Sequence, residues 1–163
     1  MTTVFIAGSM NIKNLDPKVL ERIDTIVKND FHVVVGDADG ADSSIQFHLF
    51  ELGYSNVTVY CSGESPRNNV GEWPLHVVET NCAPGTRQFF TAKDLAMAQV
   101  ADVGLMIWHT KSTGTCRMAA RSPADTPGKS PTTRSASRCG PVTPMSPAMR
   151  FEVFSSPCTT AQS

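Results

Sequence analysis

The sequence lacks several common functional signatures. Its five cysteines are an odd number and no two are spaced as Cys-x-x-Cys, which argues against a zinc ribbon or a disulfide framework. Neither a P-loop nor a Gly-x-Gly-x-x-Gly motif is present, and the 4 histidines have no metal-ligand spacing. The 14 basic and 15 acidic residues form no run of one sign. We therefore expect no metal site and no direct binding of nucleic acid.

Long hydrophobic runs are also missing. The first apolar run, residues 4–7, is too short for the core of a signal peptide or for a membrane span, and no basic segment precedes it. The sequence therefore predicts a soluble, cytoplasmic protein without a membrane partner.

The composition changes sharply near residue 115. Residues 1–115 contain 8 basic and 13 acidic residues, whereas residues 116–163 contain 6 and 2, together with 7 of the 11 prolines and no Leu, Ile, Trp or Tyr. Such a segment has little apolar area to offset the entropy of ordering the chain. We expect one globular domain over 1–115. The Pro/Ser/Thr/Arg-rich tail over 116–163 is expected to be disordered or the product of a shifted reading frame.

Apolar runs alternate with amphipathic segments in the first part of the chain. Strands are predicted at residues 3–7, 31–35, 57–60, 75–78 and 103–108. Helices are predicted after Asp16, before Gly53 and after Thr91, which are capping residue types. Right-handed βαβ connections then give an α/β fold, a Rossmann-like open parallel sheet with helices on both faces. Because no apolar pattern follows residue 115, the last βα unit is expected to be missing.

Three predicted strands end in loops of small residues, and these loops are the candidate ligand site. With strand order 3-2-1-4, counting residues 103–108 as the fourth strand, the loops meet where the order reverses and where open parallel sheets bind ligands. Backbone N–H groups and a helix N-terminus there suit a phosphate. The candidate binding residues in these loops are Gly8, Ser9, Gly36, Asp37, Asp39, Gly40, Asp42, Ser112, Gly114 and Thr115.

The aspartates of loop 36–42 allow more than one interpretation. They can cap the following helix, or hold a ribose, a metal or a proton. A calcium loop is excluded, because the sixth position counted from Asp37 is Asp42 and the twelfth is His48. If the protein is an enzyme, Asp37 and Asp39 are the catalytic candidates, as acid/base or as stabilisers of an oxocarbenium-like centre.

Several basic and aromatic residues outside the three loops allow both a functional and a structural interpretation. Arg67, Arg87 and Lys93 lie in or beside the long segment 61–90 and can close over a phosphate or remain solvated. Trp73 either packs in the core or serves an interaction module through the loop around it. The packing interpretation is the simpler one.

The loop motifs resemble the SLOG superfamily of Rossmann-like nucleotide-binding domains, which includes the Lonely-guy phosphoribohydrolases and the DNA-processing DprA proteins. The resemblance spans residues 3–115. It is carried by Ile6-Ala7-Gly8-Ser9, by Gly36-Asp37-Ala38-Asp39-Gly40-Ala41-Asp42, and by Lys93-Asp94-x-x-Met97-x-x-x-Ala101-Asp102-Val103-Gly104-Leu105-x-Ile107-Trp108 with Lys111-Ser112-x-Gly114-Thr115.

The resemblance implies a nucleotide or nucleotide derivative between the three loops, and it adds Lys93 and Asp94 to the candidate binding residues. The hydrolase branch carries Pro-Gly-Gly-x-Gly-Thr followed closely by a catalytic Glu, of which only Gly114-Thr115 match here, with no acidic residue before Asp125. We therefore expect a binding or sensing domain. The alternative is an N-glycosidic-bond hydrolase or transferase, resembling the phosphoribohydrolases or the deoxyribosyltransferases. A homodimer is considered, because domains of this class often pair through their helices.

Overall fold

The protein is an α/β domain built on one parallel sheet. The computed structural model describes residues 1–109 and 150–156. Within these ranges six strands pair in the order β4-β3-β2-β1-β5-β6, and all pairs are parallel. The elements are β1 (Thr3–Gly8), α1 (Pro17–Lys28), β2 (His32–Gly36), α2 (Ala41–Glu51), β3 (Val57–Ser62), β4 (Leu75–Val78), α3 (Arg87–Val100), β5 (Val103–His109) and β6 (Arg150–Ser156). The predicted fold class is confirmed.

The two faces of the sheet carry separate apolar clusters, because successive side chains along a strand point to opposite faces. On one face, helices α1 and α2 pack against Val33 and Val35 of β2, and Trp73 joins this cluster. On the other face, α3 places Met97 against Val34. None of the helices in the described ranges is both long and apolar enough to cross a membrane.

The capping residues of the first two helices follow from local sequence. Asp16 accepts a hydrogen bond from the Lys18 backbone N–H at 3.0 Å, and Pro17 begins α1, where its missing N–H costs nothing. Gly53 follows α2 with a φ of +65°, a conformation that glycine adopts without strain. Both predictions are confirmed.

The strand order confirms the predicted reversal. β2 and β5 lie on either side of β1, so that the chain crosses the sheet in one direction from β1 to β4 and returns on the other face through α3 to β5. Gly8 at the end of β1 lies in register with Ile107 of β5. The carboxyl ends of β1 and β5 therefore border the crevice in which open parallel sheets hold ligands.

Two expectations differ from the structure. The sheet was expected to lack its last strand, yet β6 pairs with β5, because Phe151, Val153 and Phe154 are strand-forming types that the composition of the tail conceals. Helix α3 begins four residues before Thr91, since Thr86 is its N-cap and accepts from the backbone N–H of residue 89 at 3.2 Å. The rest of the predicted tail, 116–149 and 157–163, lies outside the described residues.

Candidate functional site

The loop after β1 touches both β5 and the start of α2. The Ser9 backbone N–H donates to the Ile107 carbonyl at 3.0 Å, and the Ser9 carbonyl accepts from the Ala41 N–H at 3.2 Å. Helix α2 begins after Gly40, whose φ is +85°, and no side chain caps it. Apart from the Ala41 N–H, the backbone N–H groups of the first turn of α2 therefore lie beside the strand-order reversal without a side-chain cap.

Two glycines of the predicted site are required by close packing between its loops. A Cβ on Gly8 would overlap Ala41 and would lie 2.8 Å from the Ile107 carbonyl oxygen. A Cβ on Gly40 would overlap the backbone of Met10, and its positive φ adds strain for any other residue. The same backbone approach brings the loops after β1 and β2 together, so these glycines shape the site.

Asp37 is bound by an arginine of the β3–β4 segment. Its carboxylate is 2% exposed and accepts from Arg67 Nη2 at 2.9 Å and from Nε at 3.1 Å, while the Arg67 backbone N–H donates at 3.1 Å. Burial raises the pKa of Asp37, but the hydrogen bonds and charge of Arg67, with the charge of Lys93, hold it below its ordinary value. The Arg67 guanidinium lies 4.6 Å from the centre of the Phe90 ring.

Lys93 occupies the centre of a group of carboxylates over Gly36. Its Nζ lies 3.0 Å from Asp94 Oδ1, 3.5 Å from Asp42 Oδ2 and 4.0 Å from Asp37 Oδ1, and the side chain is 4% exposed. Burial lowers the pKa of Lys93, but the three carboxylates raise it above its ordinary value. A Cβ on Gly36 would overlap both Lys93 and Asp42, so only glycine leaves room for this ion pair.

Asp42 is the second buried acid of this group, with 3% of the residue exposed. Burial raises its pKa to about 6, against the lowering effect of Lys93. Its Oδ2 accepts a 3.4 Å hydrogen bond from the Ala38 N–H, whereas Oδ1 accepts none from the described part of the chain. Because Gly40 is the N-cap, the alternative that Asp39 or Asp42 caps α2 is wrong.

A buried glutamine connects α2, β2 and the β3–β4 segment. Gln46 Nε2 donates to the Gly36 carbonyl at 2.8 Å and to the Asn68 carbonyl at 3.3 Å, and Gln46 Oε1 accepts from the Val70 N–H at 3.0 Å. Asn68 Nδ2 in turn donates to the Asp37 carbonyl at 3.1 Å and to Asp39 Oδ1 at 2.9 Å. These bonds hold the β3–β4 segment against the loop after β2.

The structure thus separates the three loop aspartates. Asp37 and Asp42 are buried beside basic groups, whereas Asp39 is exposed and its only described partner is Asn68. Lys93 and Asp94 lie beside Asp42, and their role in binding a ligand stays a prediction. The roles of Gln46 and Asn68 were missed, because isolated amides between helix and loop carry no spacing signal in a sequence.

The remaining sequence candidates fall into two groups. Trp73 is buried and its Nε1 donates to the Tyr54 carbonyl at 2.9 Å, which confirms the packing interpretation. Ser112, Gly114 and Thr115 lie outside the described residues. In residues 1–109 and 150–156 no three His, Cys, Asp or Glu side chains are arranged to hold a metal ion. No protein-family model, curated protein or solved structure matches this chain.

Proposed function

We propose that this protein binds a nucleotide or a nucleotide-derived ligand at the carboxyl ends of its central strands, as a binding or sensing domain. The observation that carries this proposal is the contact between Ser9 and Ala41 at the strand-order reversal. It brings the glycine loop after β1 against the N-terminus of α2, which has no side-chain cap, so that the helix dipole and the N–H groups after Ala41 favour a phosphate.

Basic partners inside the protein reduce the repulsion between the loop aspartates and an anionic ligand. Carboxylates near a phosphate repel it unless their charge is balanced. Arg67 binds Asp37 and Lys93 lies beside Asp42, so two of the three loop aspartates already have a basic partner inside the protein. In our proposal the phosphate lies over the surface that Gly8-Ser9 and the start of α2 form together, and Gly114-Thr115 completes its binding site.

Asp39 is the residue that we assign to the ribose. It is exposed at the same loop, one residue before the N-cap of α2, and a carboxylate there can accept hydrogen bonds from ribose hydroxyls. Asp37 was an equal candidate in the sequence, but both of its oxygens accept from Arg67.

The exposure of Asp39 also favours an alternative function. An N-glycosidic-bond hydrolase or transferase needs a carboxylate that can reach the sugar, and of the two catalytic candidates Asp39 is exposed whereas Asp37 is 2% exposed. Under this alternative, Asp39 acts on a nucleoside or nucleoside monophosphate.

A proton NMR time course with nucleoside monophosphates, ADP-ribose and NAD separates the two functions. Saturation transfer without release of free base supports the binding domain, whereas free base supports the enzyme. Asp39→Asn should weaken binding about tenfold, because a hydrogen bond to a charged group contributes about 1.5–3 kcal/mol. Absence of saturation transfer from every ligand would refute the proposal.

Asp30→Asn is the matched control for this substitution. It removes the same charge, and it lies between α1 and β2, at the amino ends of the strands and so away from the candidate site. Its φ of +52° is one that asparagine tolerates well, so the fold should be preserved. Equal losses of binding in both variants would show that Asp39 has no specific role in holding the ligand.

A further inference from the structure

We infer that Asn68 is a positioning residue that makes the site selective for ribose over 2′-deoxyribose. This inference rests on the proposed function, and specifically on Asp39 as the group that receives the sugar. Asn68 is assigned no contact with the ligand. It acts by fixing the carboxylate of Asp39.

The geometry around Asn68 fixes one oxygen of Asp39 and leaves the other available. Asn68 Nδ2 donates at 2.9 Å to Asp39 Oδ1, and Asp39 Oδ2 accepts no hydrogen bond within the described part of the chain. An exposed aspartate without such a partner samples several rotamers, and it loses that freedom when a ligand binds. In this protein the side-chain amide of Asn68 already fixes the orientation of the Asp39 carboxylate.

The amide is itself held in place from two sides. Its second hydrogen bond, at 3.1 Å, goes to the Asp37 carbonyl at the end of β2, and the backbone carbonyl of Asn68 accepts from Gln46 at 3.3 Å. Gln46 is 0% exposed and belongs to α2. The orientation of Asp39 is therefore set by a helix and a strand of the core, although Asp39 and Asn68 both lie in loops.

A fixed carboxylate distinguishes ribose from 2′-deoxyribose, because only ribose has a 2′-hydroxyl that can donate a hydrogen bond to it. With ribose, the free oxygen of Asp39 accepts from the 2′-hydroxyl. With 2′-deoxyribose, this charged oxygen faces a methylene group in the bound complex and loses its water partners. A site that hydrogen-bonds a hydroxyl discriminates strongly against the analogue without it, because its own polar group stays unpaired.

The test compares dissociation constants for AMP and 2′-deoxy-AMP, measured by NMR titration. The wild-type protein should bind AMP about tenfold more tightly. Asn68→Ala should reduce this ratio to about two, since the freed carboxylate can turn to water. Asn56→Ala should leave the ratio unchanged. It removes an amide that donates to the Asp30 carbonyl at the amino ends of the strands, away from the candidate site.

A double variant keeps the inference falsifiable if Asn68→Ala also lowers stability. In an Asp39→Asn background, Asn68→Ala should not change the AMP to 2′-deoxy-AMP ratio further, because both substitutions act on one carboxylate. Equal affinities for the two nucleotides in the wild-type protein would overturn the inference while leaving the proposed function standing. Binding of neither nucleotide would overturn both AMP binding at this site and the role of Asn68.

Discussion

Replacing Asp42 by asparagine is expected to change how the stability of the fold depends on pH. Burial raises the pKa of Asp42 from its ordinary value of 3.8 to about 6 in the folded protein, although Lys93 opposes this rise. The unfolded chain therefore releases this proton at a lower pH than the folded chain does. Stability from the protonated carboxyl is fully present below pH 4, and it is lost as the pH rises through 6.

The size of this effect follows from the two pKa values. A tenfold change in a protonation equilibrium corresponds to about 1.4 kcal/mol, so ionising Asp42 in the folded protein costs about 3 kcal/mol more than in the unfolded chain. Asparagine has nearly the same shape as the protonated carboxyl and does not titrate. The variant should match the wild-type protein within about 1 kcal/mol at pH 4 and exceed it by about 3 kcal/mol at pH 7.

Urea denaturation from pH 4 to pH 7 measures this difference. Tryptophan fluorescence reports unfolding of the core, because Trp73 is 7% exposed and Trp108 lies in strand β5. Asp30→Asn serves as the control, because it removes an exposed carboxylate away from the Lys93 group. A constant difference between Asp42→Asn and the wild-type protein at all pH values would refute the reasoning, since it would mean that Asp42 ionises alike in both states.

Two further predictions concern the same end of β2. Gly36→Ala should lower the free energy of unfolding by about 1–3 kcal/mol, because its Cβ overlaps Lys93 and Asp42 and forces the ion pair apart; thermal denaturation measures the loss. Asp37→Ala and Arg67→Ala, with the double variant, should show a coupling energy of about 1–3 kcal/mol in urea denaturation, because two hydrogen bonds join these side chains.

The glycine prediction has a matched control in the chain. Gly53→Ala meets no atom within 4 Å and carries only the strain of its positive φ, so it should cost about 1 kcal/mol. If Gly36→Ala lowered the free energy of unfolding by less than Gly53→Ala does, the crowding at the end of β2 would be contradicted. A coupling energy near zero would mean that Arg67 remains solvated, which was its other sequence-based interpretation.

Local patterns were enough to predict most of the fold. The Asp16-Pro17 pair fixed the start of α1, and three consecutive valines marked β2, because caps and apolar runs depend on neighbours along the chain. The start of α3 was misplaced because Thr86 and Thr91 are both good N-cap residues. Nothing local to the sequence distinguishes them.

The internal partners of the site were beyond sequence reasoning. Asp37 and Arg67 are 30 positions apart, and Gln46 and Val70 are 24 apart, with an irregular segment between β3 and β4. The path of such a segment depends on tertiary contacts, which the periodicity of apolar residues in the sequence does not reveal. The sequence therefore pointed to the acidic loop as a candidate site, but it did not show which of its aspartates pair with basic side chains of the protein.

The hydrogen bonds of Gln46 join part of a loop and a helix into one unit of local unfolding. Opening the segment around Val70 leaves a buried amide unpaired, at a cost of about 1–3 kcal/mol. The loop therefore opens with the middle of α2 rather than before it. Although Val70 belongs to no helix or strand, we expect its amide to exchange hydrogen as slowly as the middle of α2, so that this wall of the candidate site keeps its shape without a ligand.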